Sequence, residues 1–109
     1  MPDKVQNIIS KDELRKSVGL TIQDFDDELE ELELAGISKL VLSGILPSKI
    51  KVEDKLITTT ILTYVKANFR FTEANLATRY QQVFEENKNF MRSTSEYTID
   101  SSESEEKNG

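Results

Sequence analysis

With neither histidine nor cysteine in its 109 residues, this sequence lacks the commonest general base, the commonest metal ligand and the thiolate nucleophile. Disulfides and thiolate zinc sites are excluded with them, which suits a reducing compartment. Arginines, lysines, tyrosines and carboxylates remain, but no pair of them sits at a spacing that a catalytic mechanism demands. The acidic run from Asp24 to Glu33 is the densest set of potential ligands. A calcium loop needs acidic residues at its first, third and fifth positions and glycine at the sixth, and here Glu28 and Leu29 fill the last two places. No phosphate-binding glycine loop, zinc pattern or internal repeat occurs. The sequence therefore predicts no catalytic residue, no metal and no cofactor.

Charge is the chemistry that is left, and it is segregated. The net charge is −6. Residues 1–33 hold four Lys and Arg against ten Asp and Glu, residues 34–95 nine against five, and residues 96–109 one against five. A negative front, a positive middle and a negative tail point to surfaces that face different partners or neighbouring copies. Asp24, Asp27, Glu30 and Glu31 are the candidate acidic face. Lys49, Lys51 and Lys55 form the densest basic cluster, a candidate either for lining a DNA channel or for meeting acidic residues of a neighbour.

Helices must position both sets. The most apolar stretch, Leu56 to Phe71, has a strand-like β-branched run, yet adjacent apolar pairs such as Ile61 with Leu62 break the alternation a strand requires. At helical spacing Ile57, Ile61, Val65 and Phe69 form one row flanked by Leu62, which predicts a central helix held by tertiary packing. Upstream, Ser10 and Glu13 make a capping box for a short helix closed by Gly19. Thr21 is read as the cap of a second helix from about Ile22 to Leu42, with the acidic run on its outer faces and Gly44 and Pro47 beyond its end. A fourth helix follows Thr72, with Leu76, Tyr80, Val83, Phe84, Asn87, Phe90 and Met91 repeating at three and four and its aromatics expected in the core. Ser93 to Ile99 is expected to be extended, and the acidic segment from Asp100 disordered when free. The fold class expected is all-α: a bundle of about four helices, residues 1–95, with a flexible acidic tail, residues 96–109. No apolar run approaches the roughly 20 residues that span a bilayer, and the first residues lack a signal peptide's pattern, so a soluble, unexported protein with no membrane contact is expected.

The segments YVKANF (64–69), RYQQVFEENKNFM (79–91) and SEY (95–97), with Leu14 and Arg15 in the first helix, the Asp26-Asp27 pair and Ala35 in the second, give the sequence a resemblance. Over roughly residues 8–97 it is similar to the small head-tail connector, or adaptor, proteins of long-tailed bacteriophages. The resemblance implies an all-helical virion protein, made in the host bacterial cytoplasm, that assembles as a homo-oligomeric ring, twelve-fold in the virion, on the portal of a filled capsid. Such a ring extends the channel through which DNA passes non-specifically and receives the next neck or head-completion protein. It also makes Tyr97 and Ile99 candidate portal contacts, docking as the tail orders. The acidic residues beyond Asp100 fall outside the matched part.

Two other classes compete. A helix-turn-helix DNA-binding protein would present Gln23, Asp24, Asp27, Glu30 and Glu31 to phosphates, which is the wrong sign for an affinity dominated by phosphate attraction. A small acidic inhibitor binding a basic protein surface through residues 24–33 is the alternative function, and it would be a monomer or dimer rather than a ring.

Overall fold

The computed structural model describes residues 5–100, and among them all regular structure is helical: α1 (Lys11–Ser17), α2 (Asp26–Leu42), a 3-10 turn (Pro47–Lys49), α3 (Lys55–Asn68), α4 (Ala74–Arg92) and α5 (Ser95–Thr98). The all-α reading holds. Ser10 Oγ accepts from the Glu13 amide at 3.1 Å, as the capping pattern predicts. Both α1 and α2 end on a glycine in the left-handed region, Gly19 at φ +77° and Gly44 at φ +114°. At each, the glycine amide and the next amide bond back to the last turn, Leu20 to the Arg15 carbonyl and Ile45 to the Leu40 carbonyl. These are Schellman closures, and the second buries Ile45 and Leu40 together.

α3 is the central element. Asp54 caps it by accepting from the Leu56 and Ile57 amides at 2.9 and 3.1 Å. Ile57, Ile61 and Val65 are fully buried and Phe69, one residue past the helix, nearly so, whereas Leu62 is only partly covered. Thr60 and Thr63 sit inside because their hydroxyls donate to the Leu56 and Thr59 carbonyls at 2.7 Å. Each buried aliphatic side chain contributes about 1.5–3 kcal/mol, which outweighs a helix-propensity cost of about 0.5 kcal/mol per threonine. α2 packs antiparallel to α3: Phe25 before α2 meets Phe69 after α3 edge-on with ring centroids 5.9 Å apart. Midway, Gly36 lets the helices close, since a Cβ there would lie 3.1 Å from the Tyr64 ring. α4 returns along α3, with the Phe84 ring 5.0 Å from that of Tyr64.

Three expectations are corrected. α2 begins at Asp26 rather than near Ile22, and Thr21 caps nothing. Ile22 is about half exposed, so extending the helix to it would bury little, and residues 22–25 turn instead to seat Phe25. The α4 row does not all face inward: Phe84 and Met91 are fully buried, but Leu76, Val83 and Phe90 are 48%, 36% and 59% exposed. Finally, the segment expected to be extended contains α5, with Tyr97 buried at 7% exposure, so packed structure continues past residue 95. The expectation of disorder at residues 101–109 lies outside the described residues.

Candidate interaction surfaces

The acidic run divides into carboxylates that hold the fold and carboxylates that do not. Asp26 is gripped from both oxygens by Arg15, Nε to Oδ1 at 2.8 Å and Nη2 to Oδ2 at 2.7 Å, and the pair is largely covered. Hydrogen bonding from Arg15 holds the Asp26 carboxyl below the usual aspartate range and raises the guanidinium above its own. Glu28 takes Arg70 at 2.8 Å, and the Arg70 guanidinium lies 5.3 Å from the Phe25 ring centre. Glu33 is fully buried. Its Oε2 accepts from the Ile8 and Ile9 amides at 2.7 and 2.9 Å and its Oε1 from Asn7 Nδ2 at 2.6 Å, which fastens the segment before α1 onto α2.

The expectation that this whole run lies on outer faces is thus corrected for Glu33 and Asp26. The signal for Glu33 was present in the spacing: it follows Leu29 by four and precedes Ile37 by four, which puts it on the buried stripe. Asp24, Asp27, Glu30 and Glu31, the four candidates, have no cationic partner among the described residues. Asp24, Asp27 and Glu31 are exposed and Glu30 half-buried. They form an outward acidic end beside the aromatic group of Phe25, Phe69 and Phe71.

The basic cluster lies at the other end of the α2–α3 hairpin. Lys49 closes the 3-10 turn, Lys51 stands in the loop and Lys55 opens α3; Lys51 and Lys55 are exposed and Lys49 half-buried. None of the three has an ion-pair partner among the described residues. The 17 residues of α2 separate the two ends by about 25 Å at 1.5 Å per residue. α5 docks at this basic end. The Leu46 amide donates to the Tyr97 carbonyl at 2.9 Å, and the Tyr97 hydroxyl donates to Asp54 Oδ2 at 3.0 Å. Burial first, and the bond to Asp54 second, push the Tyr97 phenol up to about 12. The Tyr97 side chain therefore belongs to the subunit interior, and Ile99 beside it is half-buried. The structure brings these two candidates together with the lysines, a juxtaposition that their separation in sequence did not reveal.

No group of three or more potential metal ligands gathers among the described residues. No described helix is long and apolar enough to cross a membrane. What the geometry defines, among the described residues, is a helical subunit with oppositely charged ends. A family model described as phage connector protein matches residues 12–98. The chain belongs to that family, a structural family of phage head-tail connectors whose role implies association with the portal and other virion proteins. No curated protein and no solved structure matches it.

Proposed function

We propose that this chain forms a ring on the phage portal and extends the DNA channel toward the tail, its two ends meeting different partners. The observation that carries the reading is the separation of unpaired charge, carboxylates at the start of α2 and ammonium groups at the opposite end of the hairpin. A ring joins copies through two different patches on each, and displaced patches of opposite sign supply complementarity for such a contact. In this reading Asp24, Asp27, Glu30 and Glu31 approach cations of the next copy or neck protein. Lys49, Lys51 and Lys55 meet either a neighbour's carboxylates or DNA phosphates, which attract cations without regard to sequence. Ile99 and the residues after it reach for the portal from the end where Tyr97 anchors α5. The twelve-fold copy number follows the family resemblance. Charge alone also suits the inhibitor alternative, and the match to the phage connector family is what favours the ring over it.

Native mass spectrometry of the portal mixed with this protein tests the proposal. The expected result is a portal complex carrying a full ring of copies, with occupancy reduced by Glu30→Lys. A portal that takes up no copies, or one bound copy at most, would overturn it. Deleting residues 100–109, which leaves α5 and the closing bond from the Ile99 amide in place, is expected to lower portal affinity while the melting temperature is retained; unchanged affinity would remove the tail from the interface.

A further inference from the structure

The outward row of α4 has no partner within the subunit, and its pattern is self-complementary. Leu76, Val83 and Phe90 recur every seven residues and are 48%, 36% and 59% exposed. A full coiled-coil seam takes apolar residues at two positions of every heptad; this row supplies one of them, a single apolar stripe along the outer face of α4. Val83 lies midway between the other two. On a helical projection Arg79 and Glu86 fall on one flank of the row, while Tyr80 and Asn87 fall on the other. Arg79 and Glu86 are exposed and have no ion-pair partner among the described residues.

We propose that two copies of the free subunit pair through α4, antiparallel, about a two-fold axis at Val83. The axis sets Val83 against Val83, and each Leu76 against the other copy's Phe90. It also brings each Arg79 to the other copy's Glu86 on the same flank, and each Tyr80 near the other copy's Asn87. A parallel pairing would face Arg79 and Glu86 toward the Tyr80 and Asn87 flank and form neither ion pair, so charge selects the antiparallel arrangement. The structure also holds a socket at the right place. Val18, Leu20, Phe71, Leu76 and Tyr80 form the apolar part of a groove beside Leu76 whose wall also carries Lys66 and Glu73, and the proposed pairing brings the other copy's Phe90 to this end of α4. Phe90 is thus the anchor side chain and the groove its receptor. An isologous contact of this kind closes at two copies and does not propagate. A single helix pair buries less than the roughly 800 Å² per partner of a standard interface, so a weak, concentration-dependent dimer is expected.

The inference concerns the subunit without portal and stands apart from the ring reading, so the test uses the purified chain alone. Sedimentation equilibrium over a concentration series is expected to show monomers passing to dimers and stopping there. Because the native chain has no cysteine, Val83→Cys is expected to give a disulfide-linked dimer on mild oxidation. Leu42→Cys, more accessible but off the row, should form far less. Phe90→Ser is expected to weaken dimerisation at least about tenfold while leaving the melting temperature of the monomer unchanged. Arg79→Glu and Glu86→Arg should each weaken it, and the double exchange should restore it. A chain that stays monomeric throughout the series, or a dimer insensitive to Phe90→Ser, overturns the pairing. Failure of the double exchange to restore association overturns the antiparallel register.

Discussion

The two ends of the α2–α3 hairpin carry opposite charge and are built by opposite means. At the acidic end, arginines consume part of the charge: Arg15 holds Asp26 and Arg70 holds Glu28, each across a chain reversal. At the basic end no lysine is paired among the described residues, and the local fold rests on the Gly44 closure, the buried Tyr97 and the Asp54 carboxylate, whose partners are two amides and a phenol rather than a cation. The acidic end therefore spends part of its charge on internal arginine–carboxylate pairs, whereas the lysines of the basic end have no ion-pair partner among the described residues. Exposed charge without an internal partner contributes little to stability.

The comparison is broken most strongly at the aromatic group of the acidic end. Phe69→Ala removes the ring that Phe25 and Phe71 both contact and should cost about 3–5 kcal/mol in denaturant unfolding. Next in size is Glu33→Ala. It leaves the Ile8 and Ile9 amides without their acceptor at about 1–3 kcal/mol for each buried group, and hydrogen exchange at these amides should accelerate ahead of α3. Tyr97→Phe at the basic end should cost about 1 kcal/mol, because Asp54 keeps its two backbone donors.

The same tyrosine sharpens the contrast in alkali. Its folded pKa lies above the ordinary value, so the stability it supplies is complete below about pH 10 and lost as pH rises through about 12. Ultraviolet titration should show Tyr97 ionising late, and α5 releasing with it. Asp26 behaves with the opposite sign. Its folded pKa is lowered, so its contribution is present above the ordinary aspartate value and disappears as pH falls through the depressed one. Acid titration of Asp26→Asn should show a shallower loss of stability in that window, with the basic end indifferent to the change.

Much of this was legible in the residues. The Ile57, Ile61, Val65 and Phe69 row identified the central helix, because a helical stripe survives even where threonine composition argues for a strand. The Ser10 box and both closing glycines were equally plain, being local signals. Long-range contacts were not. Nothing in the spacing of Arg15 or Arg70 announced Asp26 or Glu28, and α2 starts late because those pairs and Phe25 fix its entry. Tyr97 was read as tail because one helical turn is too short to leave a periodic trace, and its partners lie more than 40 residues away. The α4 row showed its period clearly, but periodicity alone does not say which of two apolar faces meets the core.

The central claim is that the free charge at the two poles exists for association in the phage neck, and sedimentation of this protein with its portal across a salt series tests it most directly. Exposed charges are screened over about 10 Å at 0.1 M salt and about 3 Å at 1 M. The account predicts co-sedimentation that weakens progressively over that range, with Glu30→Lys and Lys51→Glu each displacing the curve toward lower salt. Co-sedimentation indifferent to salt and to both substitutions would contradict it.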